Sequence, residues 1–128
     1  KWKAAPPDTL VLSTDTGCAF DYSRDAYGKY RDERGLMFPV ANKNDAIHPK
    51  SVVFGFDMHE QKVAFTATLL ENSAPVEHEI AGQTFDVTLA GDGEVMMTNR
   101  ESGEEYFPVR LYWFAWYTFH PDTDLVRQ

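Results

Sequence analysis

FPVRLYWFAWYTFHPDTDLV, Phe107 to Val126, is the stretch that decides the fold. Seven of the thirteen residues from Phe107 to Phe119 are aromatic, so burying this run removes more apolar surface from water than burying any other segment, and it belongs at the centre of the core. As a strand it would place Trp113, Ala115, Tyr117 and Phe119 on one face and leave Tyr112, Phe114 and Trp116 needing cover on the other. As a helix it groups Tyr112, Trp116 and Phe119, with Trp113 and Tyr117 beside them. The pattern predicts a short aromatic-rich helix from about Trp113 that closes a sheet. Pro121 pushes His120 out of the helical region and ends it.

The end of this stretch is echoed at the start of the chain. Trp116, Pro121, Asp122 and Thr123 read W-x4-P-D-T, and so do Trp2, Pro7, Asp8 and Thr9, in a chain with only 3 Trp. Equal internal spacing at four positions marks an internal repeat. The expectation is that residues 1–9 are the tail of a preceding, related unit, with Trp2 at least partly buried and Pro7-Asp8-Thr9 turning as Pro121-Asp122-Thr123 does. In both copies the Asp and Thr side chains are expected to bond backbone amides and shape the turn.

Upstream of the aromatic run the apolar positions alternate. Val52, Phe54 and Phe56 oppose Val53, Gly55 and Asp57, and Val63, Phe65, Ala67 and Leu69 oppose Ala64, Thr66 and Thr68, which reads as a hairpin with one buried face. A helical turn is expected between Leu69 and Asn72. Val76, His78 and Ile80, then Phe85, Val87 and Leu89, then Glu94 to Thr98 and Tyr106 to Leu111 continue the strands, with turn signals at Ala81-Gly82, Gly91-Asp-Gly93 and Ser102 to Glu105. Strands at this spacing predict a mainly β (α+β) fold, an antiparallel meander forming a sandwich or partial barrel. Further toward the start, Thr9 to Ser13 reads as a short strand and Leu36 to Val40 as an edge segment, since Pro39 cannot donate to a ladder. Asp21 to Arg34 shows no apolar period and reads as a surface loop with one helical turn.

With 128 residues, 43% hydrophobic and 25% charged, the chain is expected to form a single β-rich domain, 1–128. No apolar run is long enough for a transmembrane helix. The net charge of −8 argues against a nucleic-acid partner. That charge is uneven: residues 1–50 carry eight basic and seven acidic side chains, residues 51–128 four and thirteen. One Cys, Cys18, excludes an internal disulfide.

Three groups of stretches resemble a bacterial family known as domain of unknown function 3179: PDTLVLSTDTG from Pro7 with DYSRDAYGKY from Asp21; LMFPV from Leu36 with HPKSVVFGF from His48; and YWFAWYTFHPDT from Tyr112. The resemblance spans nearly the whole length, as the C-terminal portion of typically longer members. It implies export from the cytoplasm, to the periplasm or outside the cell, and brings no activity with it.

The residues themselves assemble no catalytic constellation and imply no metal or cofactor. Cys18 has no local base, and none of His48, His59, His78 and His120 has the close partner of a local metal site. His120 oriented by Asp122 is the one conceivable imidazole site, and Asp15, Asp21 and Asp25 the one conceivable Ca²⁺ cluster, without the spacing of a calcium loop. Tyr22, Tyr27 and Tyr30 beside Arg24 and Arg31 are the best candidate binding surface, because amphipathic rings and Arg favour contacts that leave water. Two functions follow. The first is a non-enzymatic interaction or structural module that binds another protein chain or domain. The alternative is a small enzyme or ligand-binding protein with a pocket formed by the Tyr22–Tyr30 loop and the His120 turn.

Overall fold

The computed structural model describes Leu10, residues 13–58 and residues 60–128. The chain divides into two units, Lys1–Arg31 and Asp32–Gln128. In the first, the described residues form irregular turns and a 3-10 turn at Gly28–Arg31, the helical turn expected in that loop. Most of the strand expected from Thr9 to Ser13, like the first W-x4-P-D-T copy with Trp2, Pro7, Asp8 and Thr9, lies outside the described residues.

The second unit holds two four-stranded sheets. Its elements are β1 (Val52–Met58), β2 (Gln61–Thr66), α1 (Ala67–Ser73), β3 (Val76–Ile80), β4 (Gln83–Leu89), β5 (Val95–Asn99), β6 (Glu105–Tyr106), β7 (Val109–Tyr112), α2 (Trp113–Phe119) and β8 (Asp124–Val126). One sheet has the order β7-β1-β2-β8, and the other is the meander β3-β4-β5-β6. All pairings are antiparallel except β2 with β8. The fold is therefore mainly β, as the alternation indicates, with the aromatic helix at Trp113. The stretch from Tyr106 to Leu111 is divided between two strands. The chain leaves one sheet after Tyr106, and Phe107-Pro108 carries it to the edge of the other.

The register explains the layers. Phe54 lies opposite Phe65 and Phe56 opposite Val63; these four pack with Ile80, Phe85, Val87, Val95 and Met97 of the second sheet and with Leu69 and Leu70 of α1. Val53, Gly55 and Ala64 point the other way, where α2 covers them with Trp113 and Trp116. The β1–β2 hairpin thus has two buried faces, not the single one expected. Its small residues Gly55 and Ala64 read as a solvent face, whereas they make room for indoles. Two other expectations are corrected. The strand predicted to reach Leu69 ends at Thr66, whose hydroxyl accepts the Leu69 amide at 3.3 Å and caps α1. Leu36–Val40 forms no strand, and Met37 and Phe38 are exposed.

Helix α2 has seven residues, six of them aromatic or Thr, too few and of too low propensity to hold a helix unaided. Packing and borrowed hydrogen bonds hold it. Tyr112 at the N-cap contributes no side-chain bond, but the Trp113 and Phe114 amides donate to the Ser51 and Pro49 carbonyls, each at 2.8 Å. Trp113 and Trp116 are 1% and 3% exposed, and burial of rings of this size stabilises by at least about 2 kcal/mol each. The layer leaves no room at Gly55, where a Cβ would stand 2.4 Å from a Trp116 ring carbon.

Gly55→Ala is expected to cost about 2–3 kcal/mol by overpacking, measured by urea unfolding. Gly91→Ala, whose Cβ meets open space among the described residues, is the control and should stay within about 0.5 kcal/mol of the parent. Equal effects of the two substitutions would contradict the layer described.

Candidate functional site

Residues 32–50 form no helix or strand, so their backbone groups need partners elsewhere. Lys50, 5% exposed, supplies two: its ammonium donates to the Glu33 carbonyl and, at 2.7 Å, to the Gly35 carbonyl. A buried ammonium is tolerated only with such acceptors. The Asn42 amide donates to the Thr118 carbonyl at 2.9 Å, the Trp113 indole to the Asn44 carbonyl at 3.3 Å, and the Arg127 guanidinium to the Ala46 carbonyl. The Asn42 and Trp113 bonds hold the irregular segment against α2, the Arg127 bond ties it to the stretch after β8, and the Lys50 bonds close it on itself.

A surface pocket of about 310 Å³ lies between them, at the small end of the range for ligand sites. Leu36, Phe38, Pro39, Val40, Pro49 and Phe114 form its apolar walls. Arg34, Asn42, Lys43, Asn44 and Asp45 supply its polar groups, with Arg34 and Asp45 paired at 3.3 Å. Phe38 is 77% exposed. Sequence reasoning missed this site because it took LMFPV for an edge strand. The available signal was the polar ANKND run after it, which has no strand period. The structure joins LMFPV, the Pro49 stretch and the aromatic run at one place.

The residues singled out in the sequence fall in both units. In the first, Tyr22 and Tyr27 are half exposed, Tyr30 is partly buried, and Arg24 and Arg31 are exposed. Arg31 lies 3.5 Å from Asp25. The Tyr22 hydroxyl bonds Thr16 at 2.9 Å, its ring meets Phe20 edge-on, and Tyr27 lies beside Tyr30. Cys18 is exposed. Asp21 accepts from the Ser23 hydroxyl at 2.6 Å and the Ser23 amide at 3.0 Å, and these bonds hold its carboxyl below the usual range. Asp25 accepts from the Tyr27 amide. Both carboxylates thus turn into their own backbone. Among the described residues no group of three His, Cys, Asp or Glu is arranged to hold a metal ion.

In the second unit, the Trp116 indole N–H donates to the Thr123 hydroxyl at 2.9 Å. The Thr123 side chain therefore serves the indole, not a backbone amide as expected. His120 packs against Trp116 with ring centroids 4.0 Å apart and the planes tilted by 39°. Among the described residues its ring makes no hydrogen bond to Asp122, and Pro121 and Asp122 are exposed. Trp113 packs on Tyr117. His78 is partly buried against Phe65, 3.5 Å from Asp124. His120 does not line the pocket.

The sharpest electrostatic feature lies on the meander sheet. Arg100 holds Asp86 with two bonds, at 3.0 and 2.5 Å, and reaches Glu77 at 2.7 Å. The Arg100 hydrogen bond lowers the Asp86 carboxyl and, reciprocally, the Asp86 and Glu77 bonds raise the guanidinium. This fork pins neighbouring strands, and none of its three residues lines the pocket.

A family model described as Protein of unknown function (DUF3179) matches residues 1–106. No curated protein and no solved structure matches the chain.

Thr123→Val, which leaves the buried indole N–H without its acceptor, is expected to cost about 1–3 kcal/mol; Thr123→Ser should recover most of that loss in the same denaturant titration. A carboxyl with a depressed pKa contributes stability above its unfolded value near about 3.9, and that contribution disappears as pH falls through the folded value. The stability gap between the parent and Arg100→Met should therefore be open at pH 7 and close in acid. A gap constant down to acid unfolding would remove Asp86 as its source.

Proposed function

The chain belongs to the DUF3179 family, and on that premise we propose that it is a non-enzymatic interaction module that binds another protein chain or domain outside the cytoplasm. The observation that carries this reading is Phe38, held 77% exposed on the wall of a pocket with apolar sides. An exposed aromatic beside a small cleft is what a partner's side chain needs as an anchor. The chemistry of the lining favours binding over turnover. Its one carboxylate among the described residues, Asp45, is tied to Arg34, and no described His, Cys, Ser or Thr lines it, so a hydroxyl or thiol nucleophile with an imidazole base has no residues among them there.

The half-exposed Tyr22 and Tyr27, with Arg24 and Arg31, offer a second contact surface in the first unit. Tyr and Arg are the residue types that carry binding energy at such surfaces. The place of action outside the cytoplasm rests on the family resemblance. Among the described residues no helix is long and apolar enough to cross a membrane.

Phe38→Ser should leave unfolding unchanged within about 0.5 kcal/mol, while reducing partner recovery in crosslinking from the exported fraction of the source cells by about tenfold or more. Undiminished crosslinking by Phe38→Ser, or absence of the chain from the exported fraction, would sink the corresponding half of the proposal.

A further inference from the structure

Resting on the interaction reading above, we infer that the Phe38 pocket takes the carboxyl-terminal end of a partner chain whose last residue is apolar. Three observations lead there. The cavity, about 310 Å³, has room for one large side chain and its end group but not for a longer element. Its walls, Phe38 and Phe114 among them, call for an apolar body.

Its polar groups call for an anion. Unit Asp32–Gln128 carries sixteen acidic and seven basic residues, net −9, yet the pocket gathers Arg34 and Lys43 against Asp45 alone. Asp45 is paired with Arg34 at 3.3 Å, and among the described residues Lys43 makes no ion pair. The Asn44 side-chain oxygen accepts the Ala46 amide at 2.7 Å, which leaves its NH₂ as a donor. The unspent capacity is thus mostly donors, an ammonium, the remaining guanidinium N–H groups and the Asn44 NH₂, against the Asn42 side-chain oxygen and the second oxygen of Asp45 as acceptors. A carboxylate is the group that donors beside apolar walls discriminate, through charge-assisted bonds. The charge of the pocket against its surroundings also steers an anionic end to this spot in preference to the rest of the unit.

Titration of the full chain with acetyl-Gly-Ala-Gly-Phe, its C-terminal amide and acetyl-phenylalanine, followed by amide resonances of residues 34–49, tests the inference. The free-acid peptide should bind about tenfold more tightly than the amide and more tightly than acetyl-phenylalanine. Lys43→Gln should bring the acid down to the level of the amide, and Phe38→Ala should weaken both. Equal binding of acid and amide, or no binding, overturns the carboxylate assignment; acetyl-phenylalanine matching the peptide overturns the assignment to a chain end. In either case a loss of crosslinking in Phe38→Ser would still support the interaction reading, so the two failures are distinguishable.

Discussion

The contact of the Trp116 indole with Gly55 is the constraint on which the second unit depends. A strand residue without a Cβ lets the ring lie against the sheet backbone, and any side chain there would occupy the space of the ring itself. With the indole seated, its N–H is turned away from water and must find an acceptor, which Thr123 provides seven residues on. Ring, glycine and hydroxyl therefore fix the helix on the sheet and also the direction in which the chain leaves it, into β8 beside β2. The W-x4-P-D-T spacing acquires a physical meaning: Pro stops the helix, and Thr arrives where the indole needs it.

The same helix links architecture to the candidate site. One side of α2 presents Trp113 and Trp116 to the sheet, while Phe114 forms a wall of the pocket. Its first amides borrow the Pro49 and Ser51 carbonyls, and the Trp113 indole borrows that of Asn44. Those bonds, with the buried Lys50 ammonium, give residues 32–50 a defined course without secondary structure. An apolar cleft on an irregular segment persists only if the segment is held in this way. Stability of the aromatic layer and shape of the pocket are thus two consequences of one packing arrangement.

The fold was legible where periodicity is a direct image of the environment. The β3–β6 meander has one face to bury, and alternation with turn signals marked β3, β4 and β5, whereas the two-residue β6 was read together with β7 as one strand. The helix at Trp113 followed from an aromatic run with too many rings for either face of a strand. Periodicity failed where both faces are covered, as in β1 and β2, because Gly55 and Ala64 look polar-facing until the indoles above them are known. It failed again at Thr66, where a cap overrides the continuing alternation of Ala67 and Leu69. The candidate site was the least legible. Phe38 looked like a core residue, and its exposure follows from long-range bonds, Asn42 to Thr118 and Lys50 to Glu33, that leave no trace in local spacing.

The most direct measurement of this arrangement is a proton NOE spectrum of the labelled chain. With the Trp116 ring on the Gly55 backbone, the Gly55 α-protons must show strong cross-peaks to the Hε3 and Hζ3 protons of Trp116 and ring-current shifts well upfield of ordinary strand glycine, with the indole Hε1 slow to exchange. Ordinary Gly55 shifts, absent cross-peaks and a rapidly exchanging indole proton would contradict the account at its centre.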